Sequence, residues 1–384
     1  MPFEAFFNPA VRPTLATDPP TREPLFFHEL LPGYAPTPLV ATPALARRLG
    51  VGQVWVKDES ERLGLPAFKI LGASWAVYRA LTARLGDAIT DWATLDELRA
   101  RLAPLGSLTL VAATDGNHGR AVARMARLLD CSAHILVPAG TARARIEGIE
   151  REGATVAVVD GTYDDAVAQS AALASPTHLV ISDTSWPGYE EVPRWVIEGY
   201  STILWEIDDE LAQHAASTPD LVLVQMGVGA FAAAVVRHYR RPGVAAPPHI
   251  VGVEPDTAAC VLASLRAGAL TEVPGPHPSI MAGLNCGLPS LIAWPALRDG
   301  LDATVAITDD AARDAMRDLA ATGIVAGETG AAGLGGLVTL LTGPGADERR
   351  ARLGITAATR VLLFSTEGAT DPVAYAAIMG RATD

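Results

Sequence analysis

A lysine set between apolar and small residues is the first candidate for covalent chemistry in this chain. Lys69 follows the letters LPAF and precedes ILGAS, so apolar surface would flank its amine. Partial desolvation favours the neutral amine, which is nucleophilic towards an aldehyde. Residue type alone favours the alternative, because most lysines are solvated or extend their charged end into water. The catalytic interpretation of Lys69 therefore depends on the motifs that accompany it.

The segment TDGNHG at residues 114–119 combines hydroxyl, carboxylate, amide and imidazole side chains with two glycines. It follows the strand-like run LTLVAAT and precedes the helical pattern GRAVARMARLLD. Backbone N–H groups converge at the positive end of a helix, which predicts a site for a substrate carboxylate or another anion. Alternatively, Asp115 or Asn117 is a helix N-cap and His118 an ordinary, partly exposed histidine. The predicted substrate-binding residues are Thr114, Asp115, Gly116, Asn117 and His118.

A second glycine-containing junction, at residues 227–231, predicts a phosphate site. The letters GVGAF follow the run LVLVQM and begin the helical pattern AFAAAVVRHYR. Glycine lets the backbone approach a phosphate closely at a helix N-terminus. A tight turn without a ligand is the alternative, and no third glycine completes a dinucleotide-binding fingerprint. A single phosphate is therefore the favoured ligand, and its predicted binding residues are Gly227, Val228, Gly229, Ala230 and Phe231.

Two further groups follow strand-like runs and could contribute acid–base or hydrogen-bonding chemistry. Asp183 ends the run HLVISD and precedes TSWPGY, which contains two aromatic residues. Its carboxylate could be a buried base, whereas an Asx turn at the strand end is the structural alternative. Ser365 and Thr366 follow the run RVLLF, and a hydroxyl at this place could bond a heterocyclic nitrogen.

The elements that must position these groups alternate along the chain. Short apolar runs, typical of strands covered on both faces, occur at 108–114, 133–138, 155–160, 178–183, 221–226, 249–255, 304–309 and 360–366. Helical patterns lie between them. This alternation predicts an α/β fold with parallel sheets and right-handed crossovers. In such folds ligands bind beyond the carboxyl ends of the strands, where the candidate motifs fall.

Composition restricts the class of protein further. The 384 residues are 49% hydrophobic and 19% charged, which suits a large core and two domains, and the formal net charge of −13 argues against a nucleic-acid partner. No signal-peptide pattern and no bilayer-spanning apolar run is found, so a cytoplasmic location is expected. Cys131, Cys260 and Cys286 lack metal-site spacing and are expected to be buried free thiols, with a Cys260–Cys286 bridge as the alternative.

The order of these motifs resembles that of the fold type II pyridoxal phosphate enzymes, the tryptophan synthase β-like family that includes threonine dehydratase and cysteine synthase. The resemblance covers nearly the whole chain. Within this family the motifs are most similar to those of the diaminopropionate ammonia-lyases. They are LPGYAPTPLV, KDES, GLPAFKILG, ATDGNHGR, SDTSWPGYE, SIMAGLNCG, GETGAAGLG and LLFSTEGATDP.

The resemblance implies pyridoxal 5′-phosphate as the cofactor. Lys69 would carry it on its amine, Asn117 would bond its ring hydroxyl, and Ser365 or Thr366 would face its pyridine nitrogen. The predicted cofactor-binding residues are Lys69, Phe68, Asn117, Gly227, Val228, Gly229, Ala230, Phe231, Ser365 and Thr366.

The implied reaction is α,β-elimination of 2,3-diaminopropionate, as the D isomer, the L isomer or both, to pyruvate and two ammonia. The predicted catalytic residues are Lys69, Asp115 and Asp183; Asp115 would serve the D isomer, and Asp183 or Lys69 the L isomer. An acidic group would also pair with the β-ammonium of this substrate, a cation that hydroxyamino acids lack. A serine/threonine dehydratase-type lyase, or a specialised β-eliminase for a related diamino acid, is the alternative.

The resemblance also implies how the chain is organised. Two three-layer αβα domains with mostly parallel twisted sheets are expected: a large cofactor-binding domain from residues 1–72 and 197–384, and a small one from 73–196. The active site would lie in the cleft between them. A homodimer is expected, with a small amino-acid substrate and neither a nucleic-acid nor a membrane partner.

Overall fold

The computed structural model describes residues 4–16, 18–114, 116–214 and 218–380. The chain divides into two compact units. Unit 1 comprises Met1–Thr21, Pro36–Glu61 and Ile203–Asp384, and unit 2 comprises Arg22–Ala35 and Arg62–Thr202. The segment 73–196, expected as a small domain, lies inside unit 2. Unit 2 extends beyond this segment on both sides and also includes the stretch Arg22–Ala35.

Every apolar run that was expected to be a strand contains one, which confirms the α/β class. The strands in the described residues are β1 (Glu4–Phe7), β2 (Leu39–Ala41), β3 (Gln53–Asp58), β4 (Thr109–Ala113), β5 (Ser132–Pro138), β6 (Thr155–Val159), β7 (His178–Val180), β8 (Leu221–Gln225), β9 (His249–Pro255), β10 (Ala303–Ile307) and β11 (Arg360–Ser365). The first three strands were not expected. They lie in the N-terminal region, where the apolar runs are short.

Helices connect most of these strands. They are α1 (Glu23–Glu29), α2 (Pro43–Leu49), α3 (Lys69–Leu85), α4 (Leu95–Leu102), α5 (Asn117–Leu128), α6 (Arg143–Glu150), α7 (Tyr163–Ala172), α8 (Glu191–Gly199), α9 (Ser201–Gln213), α10 (Ala230–Tyr239), α11 (Cys260–Ala267), α12 (Trp294–Gly300), α13 (Asp309–Ala320), α14 (Glu328–Leu341), α15 (Ala346–Arg352) and α16 (Pro372–Ile378). No helix in the described part of the chain is long and apolar enough to cross a bilayer.

Unit 1 is built on a seven-stranded sheet in the order β1-β10-β9-β8-β11-β3-β2. Its five inner strands are parallel, and β1 and β2 pair antiparallel at the two edges. Because β8 and β11 are parallel neighbours, the segments that follow them emerge side by side at one sheet edge. The glycine junction at 227–231 and the hydroxyls of Ser365 and Thr366 are thereby brought to the same edge.

Unit 2 contains a four-stranded, fully parallel sheet in the order β6-β5-β4-β7. Helices α5 and α7 pack on its strands, and α3 packs on both α5 and α8. The segment at 114–119 follows β4 and Asp183 follows β7, which is the strand next to β4. Parallel pairing therefore places these two motifs at one sheet edge.

The three cysteines are free thiols, so the expectation of free thiols is confirmed over the alternative of a Cys260–Cys286 bridge. The expected burial holds for Cys260 only, because Cys131 and Cys286 are half-buried. Cys260 is the first residue of α11 and packs in the core of unit 1.

Candidate active site

The first side-chain pair of the site lies in unit 2 and joins two motifs that are far apart in the sequence. Lys69 is the first residue of α3, and its Nζ donates a hydrogen bond of 2.6 Å to Oδ2 of Asp183. The Asp183 side chain is 8% exposed and that of Lys69 is 21% exposed. The amine is therefore reachable from solvent, whereas its acidic partner is almost fully enclosed.

Lys69 also stands out because the whole sequence contains only two lysines, Lys57 and Lys69. The Lys57 side chain is fully buried, and its Nζ forms an ion pair of 2.7 Å with Glu206 and donates to the carbonyl of Thr37. Lys57 is thus committed to a structural network in unit 1. This count could have been taken from the sequence and strengthens the case for Lys69 as the reactive amine.

The carboxylate of Asp183 is held from two sides. Its Oδ2 accepts from Lys69, and its Oδ1 accepts a bond of 3.2 Å from the hydroxyl of Tyr163, the first residue of α7. Burial raises the pKa of Asp183, but the charge of Lys69 and the hydrogen bonds from Lys69 and Tyr163 together outweigh burial, so the pKa lies well below its usual range. Asp183 is therefore ionised at neutral pH. These side-chain contacts favour the interpretation of Asp183 as a buried base over the alternative of an Asx turn at the strand end.

His118 completes the polar cluster of unit 2. It is 2% exposed, so the expectation of an ordinary, partly exposed histidine is wrong. Its Nε2 lies 2.8 Å from the carbonyl oxygen of Ile181, which can only accept, so Nε2 carries the proton. Its Nδ1 lies 4.0 Å from Oδ2 of Asp183. Burial lowers the pKa of His118, which keeps the imidazole neutral with its Nδ1 lone pair on the side of Asp183.

The segment that precedes α5 has the backbone geometry of a tight loop. Gly116 adopts φ +149°, and its N–H donates a bond of 2.9 Å to Oγ1 of the buried Thr114. Gly116 is also the residue at the N-cap of α5, without a side-chain cap, and Asn117 is the first helical residue. The alternative in which Asp115 or Asn117 is the N-cap is therefore wrong for Asn117. Asp115 lies outside the described residues.

Two tyrosines that sequence analysis did not single out border the Lys69–Asp183 pair. Tyr163 follows β6 and reaches the same sheet edge as Asp183, a position that the strand pattern could have indicated. Tyr200 is fully buried, and its ring centroid lies 4.7 Å from that of Phe68. Burial raises the pKa of Tyr200, so the phenol is protonated. No sequence signal marks Tyr200, because it lies outside the strand–loop–helix junctions.

The segment after Asp183 is fixed by an aromatic pair. Trp186 and Tyr189 stack with ring centroids 4.2 Å apart and an interplanar angle of 11°. The Tyr189 hydroxyl donates to the carbonyl of Val180 at 2.6 Å and accepts from the N–H of Ser182 at 3.1 Å. These bonds span the residues just before Asp183 and restrict the direction in which its carboxylate points.

The glycine junction of unit 1 lies at the start of α10. Gly229 adopts φ +89° and occupies the N-cap, with no side-chain cap on the helix. A Cβ on Gly229 would come within 2.4 Å of Leu297, and one on Gly227 within 2.9 Å of the carbonyl of Gly283. The first N–H groups of a helix have no intrahelical partner. The junction therefore presents backbone donors in a tight, glycine-dependent bend.

The two hydroxyls after β11 differ in their surroundings. Oγ1 of Thr366 accepts a bond of 2.9 Å from the amide of Gln225, which also donates to the carbonyl of Phe364 at 3.0 Å. Oγ of Ser365 is fully buried and has no hydrogen-bond partner among the residues that the structure describes. A buried, unsatisfied hydroxyl is costly, so the Ser365 hydroxyl is suited to bond a polar ligand atom.

Several of the motifs quoted for the resemblance meet around this place in unit 1. Thr329 of GETGAAGLG accepts from the N–H of Gly283 at 3.2 Å, and its own N–H donates to Oε1 of Glu367 at 3.2 Å. A Cβ on Gly330 would lie 2.4 Å from the carbonyl of Glu367. The segments around 227, 283, 329 and 367 are thus packed backbone to backbone.

Fold and site together define a fold type II pyridoxal phosphate enzyme. The pyridoxal-phosphate dependent enzyme family matches residues 30–353, and the chain belongs to this family. It is 38% identical to the diaminopropionate ammonia-lyase of Salmonella typhimurium over 366 residues, which cover 92% of this chain and 90% of the relative. It is 37% identical to the diaminopropionate ammonia-lyase of Escherichia coli over 355 residues, covering 91% and 88%.

Solved structures give the same result. The Escherichia coli diaminopropionate ammonia lyase in complex with D-serine superposes with a TM-score of 0.90 at 33% identity, covering 98% of this chain and 96% of that one. The same enzyme in complex with an aminoacrylate-PLP azomethine reaction intermediate has a TM-score of 0.88 at 32% identity, with the same coverage. The fold type predicted from the sequence motifs is thereby confirmed.

The residues present fit this cofactor. Ser365 offers a buried hydroxyl that lacks a protein partner in the described residues, which suits a pyridine nitrogen. The uncapped, glycine-containing start of α10 suits a phosphate. Lys69 supplies a partly exposed amine. Pyridoxal phosphate has three functional groups that a protein can bind: its aldehyde, its ring nitrogen and its phosphate. This chain has a suitable group for each of them.

Proposed function

We propose that the protein catalyses the α,β-elimination of 2,3-diaminopropionate to pyruvate and two ammonia, with pyridoxal 5′-phosphate as cofactor. The observation that carries this conclusion is the pair formed by Lys69 and the ionised, enclosed Asp183, at 2.6 Å. It lies in a chain that shares more than a third of its residues with curated diaminopropionate ammonia-lyases. One nitrogen leaves from the β-carbon and the other from the α-carbon. Addition of one water balances the reaction, because its oxygen replaces the α-nitrogen in pyruvate.

The chain's own groups account for the binding and the proton transfers. Pyridoxal phosphate, when bound, supplies the electron sink that allows the substrate α-carbon to lose its proton. We propose that Lys69 anchors the cofactor and that Asp183 accepts a proton beside it. Tyr163 holds the other oxygen of Asp183 in place. Once Lys69 is no longer an ammonium, the nearest charge that lowers the Asp183 pKa is gone, and the carboxylate becomes a stronger base.

The loop before α5 is proposed to bind the substrate carboxylate. Thr114 is buried and accepts from Gly116, which fixes the turn, and the α5 N-terminus provides backbone donors for an anion. Asn117 would bond the ring hydroxyl of the cofactor. We propose Asp115 as the base for the D isomer, because removal of a proton from either face of the substrate needs a group on that face.

The groups of unit 1 are proposed to hold the non-reacting parts of the cofactor. Residues Gly227 to Phe231 would bind its phosphate through backbone N–H groups at the start of α10. Phe231 packs its ring edge-on against Phe364, with centroids 5.0 Å apart, and so supports the loop from within the core. Between the two candidate hydroxyls, we propose Ser365 for the pyridine nitrogen, because its Oγ is buried without a hydrogen-bond partner in the described residues, whereas Thr366 Oγ1 accepts from Gln225.

Substitution of the two hydroxyls separates these roles. Ser365→Ala removes no hydrogen bond within the described residues, so we expect unchanged stability and an affinity for pyridoxal phosphate that is about tenfold weaker. Thr366→Val deprives Gln225 of one acceptor, so we expect a loss of about 1 kcal/mol in unfolding free energy and a smaller effect on affinity. Cofactor titration and denaturant unfolding measure both. A larger loss of affinity in Thr366→Val would reverse the assignment.

A substrate comparison tests the proposed function. Purified enzyme with pyridoxal phosphate is incubated separately with D-2,3-diaminopropionate, L-2,3-diaminopropionate, L-serine and L-threonine, and ammonia and the 2-oxo acid are measured. We expect two ammonia per pyruvate from at least one diaminopropionate isomer and much slower turnover of the hydroxyamino acids. Faster turnover of serine or threonine would instead identify a dehydratase-type lyase.

We also propose that the protein is a cytoplasmic homodimer that acts on a small amino acid. The resemblance to the diaminopropionate ammonia-lyases supports both the location and the dimer. Size-exclusion chromatography with light scattering measures the assembly, with a mass of twice 40.1 kDa as the expected value for the dimer.

A further inference from the structure

We propose that Arg124 is a positioning residue for Lys69, because it binds the turn from which Lys69 is delivered. This inference rests on the proposed function, since positioning of Lys69 matters only if its amine reacts. All residues concerned belong to unit 2. Arg124 lies in the middle of α5, whereas the turn precedes α3.

The turn has an unfavourable backbone. Arg62 and Leu65 pair through both backbone bonds, N–H to carbonyl, at 2.8 and 2.9 Å. The two residues between them have positive φ, +53° for Leu63 and +69° for Gly64. Two consecutive left-handed residues define a type I′ turn, for which Asn-Gly is the preferred pair. Leucine is strained in this conformation, so the turn requires stabilisation from outside.

Arg124 provides that stabilisation through both central carbonyl groups. Its NH1 donates to the carbonyl of Leu63 at 3.0 Å, and its NH2 contacts the carbonyl of Gly64 at 3.5 Å. The guanidinium is itself fixed by Glu152, which accepts from Nε at 2.6 Å and from NH2 at 2.9 Å. The Glu152 side chain is 3% exposed, so this two-bond ion pair is shielded from water and rigid.

The turn is close to the reacting group along the chain. Only Pro66, Ala67 and Phe68 separate Leu65 from Lys69, and Ala67 and Phe68 are buried. Helix α3 begins at Lys69 without a side-chain cap, so its first residue is held mainly by the segment before it. The helix that carries Arg124 begins with Asn117 and His118. Arg124 therefore ties the Lys69 segment to the helix that borders Asp183.

A purely structural role would be shared by the other arginines that bind Glu152. Arg127 lies on the same helix, one turn further on. Its NH2 lies 3.0 Å from Oε2 of Glu152, and its NH1 donates to the carbonyl of Arg151 and not to the turn. Arg127→Ala is therefore a matched control that removes a positive charge from Glu152 and leaves the turn contacts in place. The difference between the two variants isolates the contribution of the turn.

The test compares Arg124→Ala, Arg124→Lys, Arg127→Ala, Leu63→Asn and the double variant Arg124→Ala/Leu63→Asn as holoenzymes. For Arg124→Ala we expect kcat to fall on the order of 10-fold to 100-fold, because small displacements of a reacting group have effects of this size, with a smaller change in KM. Arg124→Lys keeps a charge for Glu152 but cannot reach both carbonyl groups, so kcat should fall although the protein folds. Arg127→Ala should stay near wild type.

Hydrogen exchange of residues 62–69 gives a readout that does not depend on turnover. We expect faster exchange in Arg124→Ala and Arg124→Lys only. Leu63→Asn places the preferred residue before Gly64, so the double variant should regain part of the lost kcat and of the protection. Equal losses in the Arg124 and Arg127 variants, or unchanged exchange in 62–69, would overturn the positioning role. Absence of diaminopropionate turnover in wild type would instead contradict the proposed function, and the exchange result would still be interpretable.

Discussion

Replacement of Lys69 by alanine is expected to lower turnover of both diaminopropionate isomers by roughly 10⁴-fold or more, because the anchoring amine is lost. The visible absorbance of the lysine-bound cofactor should disappear, although pyridoxal phosphate can still associate through its phosphate. Because Asp183 loses its 2.6 Å partner, its pKa should rise in this variant. Steady-state kinetics and an absorbance spectrum measure the two effects.

The two-lysine composition makes the attachment site unusually easy to verify. Borohydride reduction of the holoenzyme followed by peptide mass analysis should place the cofactor on Lys69, since Lys57 is buried in its ion pair with Glu206. Attachment at Lys57, or a retained spectrum and turnover in Lys69→Ala, would refute the assignment.

Replacement of Asp183 by asparagine is the second large expected effect. Asparagine keeps the shape and can still accept from Tyr163, but it removes the carboxylate beside Lys69. We expect kcat for the L isomer to fall by about 10²-fold or more, with a smaller effect on the D isomer. Asp115→Asn should show the opposite preference. Measurement of kcat and KM for both isomers in both variants completes the comparison, and equal losses for the two isomers would contradict two separate bases.

The lowered pKa of Asp183 also determines how its ion pair with Lys69 contributes to stability as the pH changes. A carboxyl group whose pKa is lowered stays ionised as pH falls through the neutral and mildly acidic range. Its ion pair with Lys69 therefore contributes to stability above the ordinary aspartate pKa, and that contribution is lost only at more acidic pH. In the enzyme without cofactor, we therefore expect no change in the free energy of unfolding from protonation of Asp183 between about pH 5 and 8.

The sequence predicts the parts of this fold that depend on local pattern. The parallel strands β4 to β11 are apolar runs in the sequence, and each is found. The parallel strand β3 was missed, because polar residues at both of its ends shorten its apolar run to Val54–Val56, and β2, with only the three residues Leu39–Ala41, is too short to produce a pattern. Charge alone predicts less well whether a side chain is exposed. The basic run 348–352 suggests a solvated helix face, yet Arg349 is buried and donates to the carbonyl groups of Leu340 and Pro344. That expectation is wrong for Arg349, because an arginine can satisfy several backbone carbonyl groups at once, whereas Glu348 and Arg352 of the same run are exposed.

His118 and Asp183 could be predicted because they lie beyond β4 and β7, and their proximity follows from the parallel pairing of these strands. Lys69 could be predicted from its apolar neighbours and from the motif resemblance, but its contact with Asp183 does not follow from strand order, since Lys69 begins α3 well after β3. Tyr200 could not be found, because it reaches Phe68 from the far end of α8. The support from Arg124 was also not visible, since an arginine three residues before another on a helix resembles an ordinary charged face until the turn at Leu63 is placed beside it.

The distribution of the proposed roles over the two units has a consequence for engineering and for evolution. Lys69, His118 and Asp183 all belong to unit 2, whereas the glycine junction and Ser365 belong to unit 1. Selectivity for a new amino acid can thus be sought by randomising the loops after β4, β6 and β7, while the residues that retain the cofactor are left untouched. Natural divergence among related lyases is expected to concentrate in the same loops of unit 2, while Lys69 of unit 2 and the cofactor-holding residues of unit 1 are retained.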